Sequence, residues 1–168
     1  DITVMMLDRD RHEEAKAAIR RVGARLQLIP DGDVAGAILA AWEERPQVDV
    51  LYGIGGTPEG VTSACAVKAL GGQILGRLWA RSDAEAAQAR EAGYELERQL
   101  TVDDLVTGED SFFACTGITN SQLLRGVVFD GIGAVTQSLV MRSKSGTVRT
   151  IEARHRLKKL REYAAIPY

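Results

Sequence analysis

The sequence predicts an α/β fold in which a mostly parallel sheet is flanked by helices and is followed by a terminal antiparallel or mixed part. Two observations carry this prediction. Short apolar runs alternate four times with helical segments in the first half of the chain, as in repeated strand–helix units with parallel strands. The later apolar runs are instead separated by short turns, which is typical of antiparallel strands.

In the first half, apolar runs predict the strands, and apolar residues three or four positions apart predict the helices. The continuous apolar run at residues 2–7 favours a strand that is buried on both faces of a parallel sheet. Gly23 and Gly71 are predicted to end helices, Asp33 to cap a helix, and Pro58 to stand in a first helical turn. The predicted strands are residues 2–7, 25–29, 48–51 and 73–79, and the predicted helices are residues 11–22, 34–44, 58–69 and 83–92.

The second half is predicted to form the terminal sheet and a closing basic helix. Ser145 and Gly146 fit the turn of a hairpin between the last two strands. Cys65 and Cys115 lie in apolar surroundings and are interpreted as small core residues. Four aromatic residues are assigned to the core as well: Trp42, Trp79, Phe112 and Phe113. The predicted strands are residues 111–116, 127–130, 134–142 and 147–152, and the predicted helix is residues 153–163.

Composition and charge exclude some classes of protein and disfavour nucleic-acid binding. A chain of 168 residues with 45% hydrophobic and 26% charged residues predicts a single globular domain over residues 1–168. The net charge of −2 provides no global positive field for nucleic acid, and the basic segment 155–161 is interpreted as a packed helix with a charged outer face. No apolar run reaches the ~20 residues of a membrane span. Two cysteines outside any CxxC or Cys/His pattern exclude a disulfide framework.

Ligands of open α/β sheets bind beyond the carboxyl ends of the strands, and this rule selects three loops. In the first loop, Arg9 and Arg11 stand two positions apart at a predicted helix start, where two guanidinium groups can bind phosphate. A solvated charge cluster that caps the helix explains them equally well, and His12 beside them is interpreted mainly as structural. In the second loop, Asp31 can accept hydrogen bonds from sugar hydroxyls or help to hold a divalent cation, although Asp31-Gly32-Asp33 also fits an ordinary turn.

The third loop, residues 53–60, has the sequence GIGGTPEG between a predicted strand and a predicted helix. Its glycines allow a ligand to approach the backbone closely, and the helix start presents N–H groups to an anion. It matches neither the P-loop nor the dinucleotide-binding fingerprint. Glu59 has two interpretations at this point: a carboxylate stabilised by the helix dipole, or a ligand of a metal that bridges to phosphate.

A resemblance to a known family rests on five segments in collinear order: LDRDRH, IPDGDVAGAI, GIGGTPEGV, GEDSFFACTGIT and TQSLVMRSKSGTVRTIEARHRL. Together they resemble the carboxy-terminal half of class II fructose-1,6-bisphosphatases over essentially the whole chain. The resemblance implies a fold like the second half of the lithium-sensitive sugar phosphatases. It further implies a cytoplasmic homo-oligomer that uses Mg²⁺ or Mn²⁺ to hydrolyse the 1-phosphate of fructose 1,6-bisphosphate to fructose 6-phosphate, in gluconeogenesis or the Calvin cycle.

The same resemblance assigns roles to residues of the three loops. Arg9 and Arg11 would hold substrate phosphate, and Glu59 would ligate the metal. The remaining substrate-binding residues would be Asp31, Gly32, Asp33, Gly55 and Gly56. Asp10 departs from the pattern, because the family usually has proline between the two basic residues, and its negative charge could weaken a phosphate clamp.

The family's other metal-binding carboxylates, and its Asp-Pro-Ile-Asp-Gly-Thr segment, belong to an amino-terminal half that this sequence does not contain. Metal-assisted phosphate hydrolysis needs a cluster of acidic ligands, which one glutamate and an Asp-Gly-Asp segment cannot supply. We therefore expect the chain to be the substrate-side half of a phosphatase, with the main catalytic acids in the other half. Two alternatives stay open: a sugar-phosphate-binding domain without catalysis, and an enzyme that also hydrolyses sedoheptulose 1,7-bisphosphate.

Overall fold

The computed structural model describes residues 2–44 and 47–163. The sequence also predicts that Arg45 and Pro46 break the helix 34–44, and these two residues lie outside the described ones. Its first half contains a parallel sheet with the strand order β2-β1-β3. The three strands are β1 (Thr3–Leu7), β2 (Arg25–Ile29) and β3 (Val50–Leu51). All five residues of β1 are buried, which confirms the prediction of a strand covered on both faces.

Helices follow each of these strands. A single 3-10 turn over Asp10–His12 leads into α1 (Glu13–Arg21), β2 is followed by α2 (Asp33–Ala41), and β3 is followed by α3 (Thr57–Leu70). Gly23 and Gly71 follow α1 and α3 with φ angles of 78° and 75°, a left-handed conformation that glycine adopts without steric cost. The predicted ends of these two helices are therefore confirmed.

The fourth predicted strand, residues 73–79, is largely wrong. Only β4 (Leu75–Gly76) forms there, and it pairs antiparallel with β5 (Leu100–Thr101) instead of joining the parallel sheet. Side chains of this segment alternate between partly buried and exposed, and Trp79 is 50% exposed. Because one side of this segment is exposed, it does not form the predicted parallel strand, which would need cover on both faces. After it come α4 (Asp83–Glu91) and the short α5 (Val102–Leu105).

The second half forms an antiparallel sheet around one long strand, β8 (Gly133–Arg142). Along one side β8 pairs with β6 (Phe112–Thr116) and β7 (Val128–Phe129), and along the other with β9 (Thr147–Arg156). A 3-10 turn and Gly146, with a φ angle of 59°, connect β8 to β9, as the predicted hairpin requires. The closing helix α6 (Leu157–Tyr163) begins four residues later than predicted, because residues 153–156 pair with β8 instead.

One buried apolar cluster connects the parallel sheet to the antiparallel sheet around β8. It contains residues of β1, α2, α3, β6 and β8, among them Met5, Ile38 and Met141, and Cys65 and Cys115 pack against it as predicted. Trp42 and Phe113 are buried, but the core assignment of Trp79 and Phe112 is wrong.

Phe112 and Phe113 are neighbours on β6, and successive side chains of a strand point to opposite faces. Phe112 is therefore 66% exposed, with the Arg142 guanidinium 5.2 Å from the centre of its ring.

Gly117, directly after β6, lies at a point where two backbone segments of this half are closely packed. A Cβ atom there would lie 2.2 Å from the carbonyl oxygen of Arg125, whereas a Cβ at Gly60 in α3 would meet nothing within 4 Å. We expect Gly117→Ala to lower the free energy of unfolding by roughly 1–3 kcal/mol through overpacking. Gly60→Ala should raise it by about 0.5–1 kcal/mol, because glycine is a poor residue inside a helix. Urea denaturation measures both, and shifts of the same sign would contradict the structure.

Candidate functional site

The three loops selected from the sequence follow β1, β2 and β3, and the structure brings them together at one edge of the parallel sheet. The first and third loops are joined by hydrogen bonds: Arg11 Nη2 donates to the carbonyl oxygen of Ile54 at 2.6 Å, and Ile54 N–H donates to His12 Nε2 at 3.1 Å. The second and third loops meet where the Asp33 carboxylate lies against Gly55. Carboxyl ends of adjacent parallel strands are the usual place for a ligand in such a sheet.

Next to the first loop, a buried lysine of α1 pairs with two carboxylates. Lys16 of α1 is 3% exposed, and its ammonium group donates to Asp8 Oδ1 at 2.5 Å and to Glu13 Oε1 at 2.6 Å. The hydrogen bond from Lys16, together with its positive charge, lowers the pKa of Asp8. The Asp8 N–H also donates to the carbonyl oxygen of Ile29, so this loop is anchored to the end of β2.

The two arginines of this loop differ in their partners. Arg9 Nη1 donates to the carbonyl oxygen of Asp8 at 3.1 Å, while Arg11 reaches across to the third loop. Asp10 between them begins the 3-10 turn and is exposed, so its side chain lies toward solvent. Each guanidinium carries five donors in a planar fork, so one backbone contact leaves donors for an anion.

In the second loop, the prediction that Asp33 caps α2 is wrong. Gly32 is the N-cap, with a φ angle of 97°, and Asp33 is the first helical residue. Because glycine adopts this left-handed conformation without steric cost, the helix starts at residue 33, one residue earlier than it would with Asp33 as the cap. The carboxylates of this loop bind neighbouring N–H groups: Asp31 Oδ1 accepts from Gly32 and Asp33 Oδ1 accepts from Val34, both at 2.9 Å.

In the third loop, two glycines make room for carboxylates. A Cβ atom at Gly55 would lie 2.8 Å from Asp33 Oδ2, and one at Gly56 would lie 3.0 Å from Glu59 Oε2. Glu59 Oε2 accepts a hydrogen bond from Gly56 N–H at 2.9 Å and thereby caps the start of α3. This capping contact is compatible with both interpretations of Glu59, and its carboxylate lies at the same edge as Asp33.

This edge of the sheet carries both positively and negatively charged side chains. Arg9 and Arg11 supply positive charge on the first loop, where Asp8 is paired with Lys16 and Asp10 is exposed, and the carboxylates of the other two loops supply negative charge. Partial burial, and then the negative charge of Glu59, raise the pKa of Asp33, with a smaller contribution from Asp31. Such an edge can bind an anion on its basic side and hydroxyl groups or a cation on its acidic side.

Within residues 2–44 and 47–163, no three side chains of the His, Cys, Asp and Glu types are close enough together to hold a metal ion. Glu59 and Asp33 are carboxylates, which suit Mg²⁺ or Mn²⁺, but they fit only part of a coordination shell. Across the same residues, no helix has the length and apolar character needed to cross a bilayer.

Sequence reasoning missed Lys16 and Ile54. The lysine lies among the apolar residues of α1 and could have been noticed as a charge on the inner face, three positions after Glu13. Ile54 acts through its backbone, which no residue type reveals.

The fold and this edge define a mixed α/β protein with charged and glycine-rich loops at the carboxyl ends of parallel strands. The sequence model of a family described as bacterial fructose-1,6-bisphosphatase, glpX-encoded, matches residues 1–155. The chain belongs to this family.

Individual relatives agree. The chain is 39% identical over 170 aligned residues to fructose-1,6-bisphosphatase class 2 of Haemophilus influenzae, which covers 94% of this chain and 51% of that protein. It is also 39% identical to fructose-1,6-bisphosphatase 1 class 2 of Escherichia coli, over 94% of this chain and 50% of that protein. The chain therefore spans about half the length of the curated relatives that it matches.

Replacing Asp8 or Asp33 by asparagine removes one charge in each case, and the two changes are expected to shift the Tm in opposite directions. The lowered pKa of Asp8 means that its ionised form stabilises the fold above the ordinary value of 3.8, so Asp8→Asn should lower the Tm at pH 7. The raised pKa of Asp33 means that its ionisation costs stability, so Asp33→Asn should raise the Tm at pH 7. Asparagine keeps the accepting oxygen in both cases.

Acidification supplies the control for this pair. The Asp33→Asn difference should disappear as the pH falls through the raised pKa to below 3.8, where Asp33 is neutral. The Asp8→Asn difference should persist to lower pH and vanish only below the lowered pKa of Asp8. Thermal melts in EDTA between pH 7 and pH 2.5 measure both, and differences that do not change with pH would contradict the assignment.

Proposed function

We propose that this chain is the substrate-side half of a metal-dependent fructose-1,6-bisphosphatase that hydrolyses the 1-phosphate of its substrate to give fructose 6-phosphate. The observation that carries the proposal is the placement of two guanidinium groups and two glycine-associated carboxylates at one sheet edge, in a chain of this family. A sugar bisphosphate needs both kinds of group, because it presents phosphate anions and neutral hydroxyls together. The proposed setting is the cytoplasm, in gluconeogenesis or the Calvin cycle, as a homo-oligomer with the lithium-sensitive phosphatase fold.

On the basic side, Arg9 and Arg11 bind the phosphate remote from the bond that is cleaved. On the acidic side, Asp31 accepts hydrogen bonds from sugar hydroxyls, with Gly32 and Asp33 completing that contact. Asp31 is exposed and, among the described residues, accepts a hydrogen bond from the next N–H of its own turn through Oδ1, so a ligand can reach its second oxygen. Gly55 and Gly56 let the substrate approach the backbone, since neither has a side chain in the way.

Glu59 is the residue that we assign to the metal, Mg²⁺ or Mn²⁺. When bound, such a metal would supply polarisation of a phosphate oxygen and activation of water for attack. Mg²⁺ keeps most of its water unless several protein oxygens replace it, and a single carboxylate binds it weakly. The remaining ligands in this proposal come from an amino-terminal half, in keeping with relatives about twice as long as the chain.

A second candidate function is binding of sugar phosphates without catalysis. It is favoured by one observation: the described residues contain no group of three side chains able to hold a metal. Activity of the whole protein towards sedoheptulose 1,7-bisphosphate is a further alternative, because the described edge recognises phosphate and hydroxyl groups that both sugars carry.

Glu59→Gln in the whole protein separates catalysis from helix capping. Glutamine keeps an oxygen that can accept from Gly56 N–H but loses the charge, so the fold should persist while metal-dependent hydrolysis falls by at least about a hundredfold. Even the partners of metal ligands typically cost about 10- to 100-fold when they are mutated. Phosphate release from fructose 1,6-bisphosphate with Mg²⁺ or Mn²⁺ measures the effect, and EDTA should abolish wild-type activity.

The matched control is Glu85→Gln. Glu85 occupies the same position in α4 and accepts from Arg81 N–H at 2.7 Å, but it lies outside the three loops. This variant should keep full activity. The 168-residue chain by itself should release no phosphate, and EDTA-sensitive hydrolysis by it would refute the half-site proposal.

Arg9→Ala and Arg11→Ala should act mainly on KM. A contact with the remote phosphate exists in the ground state and in the transition state alike, so its loss leaves kcat nearly unchanged. A charge-assisted hydrogen bond contributes roughly 1.5–3 kcal/mol, which corresponds to a KM increase of about ten- to a hundredfold. Arg90→Ala, on the exposed surface of α4, serves as the control with unchanged kinetics. Unchanged KM in both loop variants would remove the arginines from the site.

A further inference from the structure

His12 is one of the most completely buried large side chains among the described residues, with 1% of its surface exposed. Its Nε2 accepts a hydrogen bond from Ile54 N–H at 3.1 Å, and its Nδ1 lies 2.9 Å from the carbonyl oxygen of Leu7. An amide N–H can only donate, so Nε2 is the acceptor, and Nδ1 carries the proton that is donated to Leu7. The ring therefore connects the last residue of the buried strand β1 to the third loop.

Two neighbouring side chains of the first loop hold both sides of Ile54. His12 binds its N–H, and Arg11 binds its carbonyl oxygen at 2.6 Å. The ring of His12 also packs beside Gly53, where a Cβ atom would lie 3.5 Å from Cε1. Ile54 is thus held by contacts from residues more than 40 positions earlier in the chain.

The geometry of the peptide bond gives these contacts a consequence. In a trans peptide the C=O and N–H of one plane point in opposite directions, and the described residues contain no cis peptide. The contact between His12 and Ile54 N–H therefore sets the plane between Gly53 and Ile54. The contact between Arg11 and the Ile54 carbonyl likewise sets the direction of the Gly55 N–H.

We propose that His12 is a positioning residue, which orients the backbone of residues 53–55 for the phosphate group of the substrate. The inference rests on the proposed function and extends it to a residue that does not itself touch the substrate. Glycines 53, 55 and 56 leave this segment with more conformational freedom than other residues would, so an external contact has to select one arrangement. The imidazole can fix one arrangement because it is itself hydrogen-bonded to Leu7, at the end of the buried strand β1.

Two substitutions of His12 in the whole protein separate positioning from general stability. In His12→Gln the amide oxygen can reach the place of Nε2 and accept from Ile54 N–H. In His12→Asn the shorter amide can still donate to Leu7, in the place of Nδ1, but cannot reach Ile54. Both remove the buried ring, so both are expected to lower the Tm.

The kinetic readout is the division between KM and kcat for fructose 1,6-bisphosphate. His12→Asn should raise KM at least tenfold with kcat nearly unchanged, and His12→Gln should keep a KM within about threefold of the wild type. A merely structural role would reduce the active fraction and hence kcat in both variants, with KM unchanged. That result, or equal KM increases in both variants, would overturn the proposal. If His12→Asn does not fold, hydrogen exchange at the Ile54 amide of the wild type and of His12→Gln decides instead.

Hydrogen exchange at the Ile54 amide gives a readout that does not depend on activity. Exchange should be slow in the wild type and in His12→Gln, and at least tenfold faster in His12→Asn. Fast exchange in an active wild-type protein would overturn the positioning proposal alone. A wild-type protein that hydrolyses no fructose 1,6-bisphosphate would instead overturn the proposed function, and the kinetic role of His12 with it, even where Ile54 exchanges slowly.

Discussion

The pairing of β1 with a parallel strand on each side is the constraint on which the rest of the structure depends. Every residue of β1 is buried, so a one-residue shift in register would move each side chain to the opposite face and disrupt the packing on both faces. Adjacent strands lie about 4.8 Å apart, which places their three following loops within reach of short hydrogen bonds. Arg11 and Ile54 are 43 positions apart in sequence and still meet, because both follow strands of this one sheet.

The charged groups at the sheet edge already have backbone partners. Arg11 binds a carbonyl oxygen, while Asp33 and Glu59 each accept an N–H near a helix start. These partners set the direction of each side chain before any ligand arrives. The arrangement also brings two carboxylates close to Gly55, and partial burial, followed by the negative charge of Glu59, raises the pKa of Asp33. Perturbed groups of this kind are concentrated at functional sites, where the fold tolerates an unfavourable charge for the sake of binding.

Local patterns predicted the parts of the fold that are determined locally. The apolar run of β1, the bounds of β2 and the helix ends at Gly23 and Gly71 all follow from residue type. The errors arise where the structure of a segment depends on the distant strand with which it pairs. Residues 153–156 join β9 because β8 lies beside them, and the fourth apolar run finds only a short antiparallel partner. The three loops of the site were found from strand ends, but the hydrogen bonds at Ile54 belong to the backbone and leave no trace in the sequence.

The long strand β9 (Thr147–Arg156) has a consequence for behaviour at high concentration. Within the described residues β9 pairs with β8 on one side only, so its other side presents unpaired backbone groups along ten residues. Exposed edges of this length are templates for uncontrolled association between molecules, and charged side chains are a common protection. Arg149, Glu152 and Arg154 are all exposed on this strand, and Glu152 forms ion pairs with Arg125 and Arg154. Another chain that tried to extend the sheet here would have to desolvate these charges, which protects the molecule against aggregation through its longest edge.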